Sequence, residues 1–349
     1  MPTYKDEKRG TYYCSFYYTD FSGNKRRKKK EGFKKQSDAK AFERDFLQKQ
    51  ENNCDMQFKN LVDLYLDDAK TRIRSTTLNN KTELINLKIL PYFSELIVSE
   101  ITPNHIRKWQ NELKKSSYSD TYLKAINNQL TAIFNFAIKY FNLASSPTLK
   151  AGSMGKKNAE AMQFWTVDEF KSFIGYCKDN KLELAYKILF WTGIRRGELL
   201  ALTYNDIDLE NRLISINKTY TKIKNTDIIN PPKTAKSKRM ISISESLAND
   251  IREYYDTLYD FKPSERIFEF SLSRLRHSLN SICKKNEIKR IRVHDLRHSH
   301  ASLLIELGFT ALAISERLGH EKVQTTLNTY SHLYPNKDMT IANKLDDLY

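Results

Sequence analysis

Between residues 123 and 140, the side chains Leu123, Ile126, Leu130, Ile133, Ala137 and Tyr140 alternate steps of three and four. A helix gathers such positions on one face, whereas a strand would scatter them over both. A stripe this long needs other helices to cover it, so this part of the chain is expected to be a helical bundle. The same spacing recurs in Phe58, Leu61, Tyr65 and Ala69. Thr102-Pro103 supplies a cap followed by proline at the first helical position, opening a helix with Ile106, Trp109 and Leu113 inward. Residues 54–150 thus read as almost wholly helical, with the stripes as core. Between the stripes lie cations expected to be exposed: Lys70, Arg72, Arg74, Arg107, Lys114, Lys115 and Lys124.

Residues 1–53 have another texture. Thr11–Tyr18 is rich in aromatic and β-branched residues and reads as a strand. Residues 20–24 form a turn signal, after which Lys25, Arg26, Arg27, Lys28, Lys29 and Lys30 return as a very basic strand. Ser37 is positioned to cap a helix running through Ala41, Phe42 and Phe46. A small sheet backed by one helix, with a basic and aromatic face, suits a DNA groove. The alternative is a merely solvated basic run or arm.

From Ser146-Pro147 onward, Gly152, Ser153, Gly155 and paired lysines read as a linker, placed at residues 151–161. Residues 162–349 mix helices with short strands. Thr166-Val167-Asp168-Glu169 is a capping box, and Leu213–Ile216 and Arg239–Ile243 are strand-like. The expected fold is therefore multidomain, mainly α with small antiparallel sheets: a sheet plus helix, a helical domain, and a mixed α+β domain.

Charge gives the first functional constraint. Lys and Arg outnumber Asp and Glu by 58 to 42, a net charge of +16. A polyanionic partner explains this economically, since neutralised phosphates release counterions. Charge alone does not separate DNA from RNA or an anionic membrane surface. No apolar run is long enough to span a bilayer, and the N-terminus lacks the apolar core of a secretory signal, so no membrane partner and a cytoplasmic location are expected. The four cysteines, Cys14, Cys54, Cys177 and Cys283, form no Cys-x-x-Cys pair, which disfavours a zinc ribbon or a disulfide framework. They are expected to be small buried hydrophobes.

Four short stretches in the last segment carry chemistry. They are Thr192-Gly193-Ile194-Arg195-Arg196-Gly197-Glu198-Leu199, Pro232-Lys233-Thr234, His294-Asp295-Leu296-Arg297-His298, and Leu318-Gly319-His320 with Tyr330 ten residues on. Taken singly, each has a bland reading. Arg-Arg-Gly-Glu can start a surface helix, and a lysine-rich hairpin can touch phosphates without doing chemistry. Gly-His after a helix is ordinary, and any one of 20 tyrosines is packing by default. Arg196 competes with Arg195, Lys236 and Lys238 compete with Lys233, and Tyr334 competes with Tyr330. His294 and Arg297, at i and i+3, share a helix face. His298 and His300 read as packing residues. A histidine-rich metal site is a further alternative, but no His-Glu-x-x-His occurs.

Together and in this order, the stretches resemble the tyrosine recombinases, the phage-integrase family, over roughly Met162 to Leu333. The N-terminal texture is similar to the arm-binding and core-binding modules of integrases from phages and conjugative transposons. The resemblance implies an arm-type DNA-binding domain at residues 1–53, a helical SAM-like core-binding domain at 54–150 and a catalytic domain at 162–349. It implies that Arg195 and Arg297 grip a phosphate, which suits their forked geometry. Lys233 is implied as general acid, His294 as a partner of the tyrosyl proton or the phosphate, His320 as a phosphate donor, and Tyr330 as nucleophile, with Glu198 in support. The implied reaction is two transesterifications through a 3′-phosphotyrosine, without metal, ATP or other cofactor. The implied partners are double-stranded DNA at attachment and arm-type sites, a homotetramer on DNA, and an excisionase or host DNA-bending protein. The amphipathic tail from Thr340 to Tyr349 suits exchange between protomers as well as self-packing. A type IB topoisomerase, a telomere resolvase and a non-catalytic DNA-binding regulator are the competing readings.

Overall fold

The computed structural model describes residues 3–7, 9–19, 25–52, 54–156, 162–223, 226–232 and 234–334. They belong to two compact units, Met1–Ala159 and Glu160–Tyr349. The expected turn at 20–24, Lys233 and the tail from Thr340 lie outside the described residues.

In the first unit, β1 (Thr3–Asp6), β2 (Thr11–Thr19) and β3 (Lys25–Phe33) form an antiparallel sheet in that order. The β1 strand is too short and polar to announce itself, and it joins the sheet with Tyr4 stacked on Tyr13 at 5.2 Å. Alternation sends Cys14 and Phe16 toward α1 (Gln36–Asn52), where they pack with Ala39, Phe42 and Phe46. Helix α1 begins at Gln36, so Ser37 lies inside its first turn and does not cap it; its hydroxyl turns to Asp38.

Next come α2 (Phe58–Arg72), α3 (Ser75–Lys88), α4 (Leu90–Phe93), α5 (Pro103–Lys114), α6 (Asp120–Phe141) and α7 (Pro147–Ala151). Thr102 caps α5 as its sequence requires, accepting from the His105 amide. The α6 stripe is buried from Leu123 to Ala137, against Phe58, Leu61, Ile106 and Trp109. Tyr140 departs from the stripe: in the last turn of α6 it is 48% exposed, packed on Phe136. The linker signal at Ser146-Pro147 instead opens α7, and Ala151 and Met154 are buried in the helical core.

In the second unit, α8 (Val167–Gly175) starts at the Thr166–Glu169 capping box. It is followed by α9 (Asn180–Thr192), α10 (Arg196–Leu199), β4 (Ile207–Asp208), β5 (Leu213–Ile216), β6 (Thr219–Ile223), β7 (Thr226–Asn230) and β8 (Arg239–Ser242). Then come α11 (Glu245–Asp256), α12 (Leu272–Lys285), α13 (Asp295–Glu306), α14 (Ala311–Leu318) and α15 (Val323–Tyr330). The two strand-like stretches of the sequence pair as β5 and β8, with β4 on the other edge of β5. A β6–β7 hairpin, unforeseen, is a separate two-stranded sheet. Helix α9 is buried nearly all round and packs against α11 and α13, so it is the central helix of this unit. All four cysteines are buried and unpaired. Among the described residues no helix is long and apolar enough to cross a membrane.

Candidate active site

Two glycine stops set the site. Gly193 ends α9 at φ +67°, and a Cβ there would lie 2.6 Å from His300 Cδ2 and 2.8 Å from Leu318 Cδ2. Only glycine allows this left-handed turn and this approach of α13 and α14. Gly319 ends α14 at φ +68°, with Arg239 against the space a Cβ would fill. The two carbonyls before His320 face two arginines. Arg297 is 3% exposed and donates from its terminal nitrogens to Gly193 O and Leu318 O, both at 2.8 Å. Arg195 stands just before α10, where Gly193 has redirected the chain, and donates to Gly319 O at 3.1 Å. Its other terminal nitrogen meets Glu198 at 2.8 Å. Five N–H groups per guanidinium leave others on each arginine unused by these bonds.

Glu198 is the electrostatic hub. It is 4% exposed and accepts from the Arg195 amide and guanidinium and from Arg239, at 2.9 Å for the shorter of two contacts. Burial works to raise its carboxyl pKa, but the Arg239 bonds and the charges of Arg239 and Arg195 outweigh burial and hold it below the ordinary value. For Arg297, burial first and the charge of Arg195 second lower the pKa to about 9, which still leaves a cation at neutral pH. Arg239 and Arg317 are the residues that sequence reasoning missed here. Arg239 bonds Glu198 and the Arg317 carbonyl, and Arg317 donates to His300 Nε2 at 2.9 Å. No local pattern marks them, because a lone arginine reads as surface.

His320 follows Gly319, with Nδ1 2.8 Å from the Thr326 hydroxyl. Burial, then the charges of Arg297, Arg195 and Arg239, lower its pKa to about 4. His320, Arg195, Glu198, Thr234 and Ser237 line a cavity of about 310 Å³. Arg195 also borders a larger cavity of about 700 Å³ with His294, Arg196, Arg276, Arg290 and Arg292. His294 keeps an exposed face there, and its ring is pushed below the usual imidazole range by surrounding protein first, then by His298, Arg297 and Arg196. Arg196 is exposed, as are Lys236 and Lys238.

Tyr330 is the last residue of α15 and is 1% exposed, packed with Ala301, Ile305, Ile314 and Leu318. Its hydroxyl lies 2.7 Å from His298 Nδ1. Burial raises the phenol's pKa to about 12, although the charge of Arg297 acts the other way. His298, expected to be a packing residue, is therefore the residue at the phenol; its clue in the sequence is its i+4 spacing from His294, whose ring it meets edge-on at 5.4 Å. The Tyr334 hydroxyl is buried, with no hydrogen-bond partner among the described residues. Nor do any three His, Cys, Asp or Glu side chains among the described residues gather as a metal site.

The expected DNA-contacting cations are exposed on their elements, except that Lys124 is half-buried and bonded to Ser153 at 2.9 Å. Arg72 pairs with Asp68, and Lys29 pairs with Glu31. Lys25, Arg26, Arg27, Lys28, Lys29 and Lys30 all lie along β3, with Arg27 donating to Ser15 at 2.9 Å.

His300 gives a prediction about stability. It is 3% exposed, and burial first, then the charge of Arg317, lower its pKa to about 3. The unfolded chain takes a proton near pH 6.5 that the folded chain refuses, so stability is lost as pH falls from about 6.5 toward about 3. This histidine alone contributes a slope of about 1.4 kcal/mol per pH unit in that window. Urea unfolding of the wild type between pH 7 and 5 is expected to show it, and His300→Asn should lessen the dependence by that one contribution, leaving those of His294, His298 and His320.

Comparison with known proteins gives three family matches: the Phage integrase family over residues 163–337, the N-terminal SAM-like domain of phage integrases over 57–114, and an Arm DNA-binding domain over 2–50. The ICEBs1 integrase of Bacillus subtilis (strain 168) is 32% identical over 314 residues, covering 84% of this chain and 83% of the relative. Among solved structures, the Tn1549 transposon integrase in complex with a circular intermediate DNA aligns with a TM-score of 0.71 at 19% identity, covering 84% of this chain and 100% of that one. A lambda integrase dimer bound to a COC′ core site aligns at 0.62 and 17% identity, covering 96% and 95%.

Proposed function

The chain belongs to the phage integrase family of tyrosine recombinases, and from that membership we propose that it cuts and rejoins DNA through a 3′-phosphotyrosine at Tyr330, integrating and excising a mobile element. One observation carries the reading. The guanidiniums of Arg195 and Arg297 converge on the consecutive carbonyls of Leu318 and Gly319, immediately before His320.

Attack on a phosphodiester spreads negative charge over the nonbridging oxygens, so catalysis needs positioned cations more than covalent help. Arg195 and Arg297 supply them, held by Glu198 and by backbone carbonyls that leave N–H groups for the phosphate. His320, oriented by Thr326, adds a donor to the same oxygens, and His294 meets the phosphate from the larger cavity. The Tyr330 oxygen bonds to phosphorus as its proton passes to a neighbouring histidine, and the bond to the 5′ oxygen breaks while Lys233 protonates that oxygen. A 5′-hydroxyl from a partner strand reverses the step, and because the phosphotyrosine conserves the bond, no metal or ATP is required.

Residues 1–53 are assigned to arm-type sites through the β3 cations, and residues 54–150 to the core site through Lys70, Arg72, Arg74, Arg107, Lys114, Lys115 and Lys124. Residues 162–349 are the catalytic domain. The lambda integrase relatives are solved as a dimer on a core site and as a tetramer on a Holliday junction. By extension, this chain acts in the cytoplasm as a tetramer on two DNA sites, with an excisionase or host bending protein setting direction.

Purified chain incubated with plasmids carrying the joined ends of the element and its target, in EDTA and without nucleotide, should yield recombinants. Recombination only after magnesium or ATP is added would overturn the cofactor-free mechanism. Relaxation of plasmid lacking either site would favour a topoisomerase.

A further inference from the structure

We propose that His298 is the residue that takes the proton from Tyr330 as the phenol attacks. This rests on Tyr330 being the nucleophile, and it goes further by assigning the proton to a histidine outside the recognised set. Tyr330 is 1% exposed, and His298 Nδ1 stands 2.7 Å from its hydroxyl. The ring centroids are 5.6 Å apart with the planes at 60°. His294, the residue the motif suggests for this task, instead borders the arginine-lined cavity beside Arg195. Its ring meets that of His298 at 5.4 Å.

The groups around His298 favour the form that accepts. Tyr330 faces it from α15, His320 stands beyond the end of α14, Arg292 and His294 precede α13, and Asp295 and Arg297 share its own helix. Burial, aided by Arg292 and Arg297 and opposed by Asp295, pushes the imidazole below its ordinary value. At neutral pH the ring is uncharged, with Nδ1 free to accept when the other nitrogen carries the hydrogen. The phenol's pKa of about 12 makes full transfer before attack costly, so proton transfer accompanies bond formation. In the step, the Tyr330 O–H bond breaks as its proton moves to His298 Nδ1. The phenolic oxygen bonds to phosphorus, and the bond from phosphorus to the 5′ oxygen breaks. The 5′ oxygen then takes its own proton from a separate acid. The rejoining step returns the His298 proton to the departing tyrosyl oxygen.

The test uses the full chain and a duplex spanning the joined ends of its element, made with either oxygen or sulfur at the bridging 5′ position. A sulfur leaving group needs no acid, so it separates the two proton transfers. Wild type must form covalent adduct on both duplexes and Tyr330→Phe on neither; failure of that control sinks the nucleophile assignment and not this proposal alone. Given that control, His298→Asn, which keeps a hydrogen-bonding atom but cannot take a proton, should form adduct at least about a hundredfold more slowly on both duplexes. Its rate should climb with hydroxide concentration, where the wild-type rate levels off above the pKa of His298. Equal DNA affinity of the variant and wild type excludes misfolding as the cause. Rescue of His298→Asn by sulfur would make His298 part of the acid pathway, and an unchanged pH profile would leave it only a positioning role. Faster cleavage by His298→Ala would make the contact a restraint on Tyr330. Each of these overturns the proposal.

Discussion

Arg297→Ala is expected to lose strand cleavage by at least about a hundred- to a thousandfold, the scale seen when one preorganised donor to a developing oxyanion is removed. The effect has two sources. The guanidinium no longer neutralises charge on the nonbridging oxygens, and the carbonyls of Gly193 and Leu318 lose their buried donors. Each orphaned carbonyl costs about 1–3 kcal/mol, so the alanine variant should also unfold at lower urea. Arg297→Lys separates the two sources. A lysine restores the charge, but a single ammonium cannot reproduce a fork that reaches two carbonyls and a phosphate. Single-turnover cleavage should stay at least about a hundredfold slow in Arg297→Lys even where its folding recovers. Cleavage near the wild-type rate in that variant would mean that charge alone suffices and that the geometry at α14 is incidental.

Glu198→Ala should be the most destabilising single change in the catalytic unit. Its carboxylate is 4% exposed and holds Arg239, whose side chain is 7% exposed, together with Arg195. Removing one partner from a buried pair leaves an uncompensated charge, at a cost of about 3–5 kcal/mol. Here the cost is compounded because Arg195, Arg239 and Arg297 repel one another once the carboxylate is gone. Glu198→Gln keeps the size and some hydrogen bonds and should recover only part of the loss. The sign with pH follows from the depressed carboxyl: its contribution is full above the ordinary carboxylate range and disappears as pH falls through the lower folded value. Thermal unfolding at pH 7 would register the alanine change as a drop of the order of 10 °C.

These two residues also show what local sequence carries. The stops at Gly193 and Gly319 and the caps at Thr102 and Thr166 are encoded within a few residues of themselves, and the fold realises them. The pairings within the site join distant positions. Arg239 reaches Glu198 across 41 residues, and Tyr330 reaches His298 across 32. No periodicity reports such pairs, so Arg239 looked like a strand residue and His298 like packing. The β6–β7 hairpin escaped notice for a related reason. Its strands are half exposed, and they mix threonines and charges without a strong alternation. Tyr140 erred in the opposite sense, because its stripe outlasts the helices that cover it.

The account stands on Tyr330 as nucleophile, and the direct measurement is to trap and map the covalent adduct. Full-length chain is incubated in EDTA with a duplex of the joined element ends, nicked beside the scissile phosphate so that the released fragment diffuses away. The denatured adduct is then digested and sequenced by mass spectrometry. The expected result is a nucleotide bonded through its 3′-phosphate to the peptide at Tyr330, absent from Tyr330→Phe, which should still bind the duplex. An adduct at Tyr334, or one that survives in Tyr330→Phe, would contradict it.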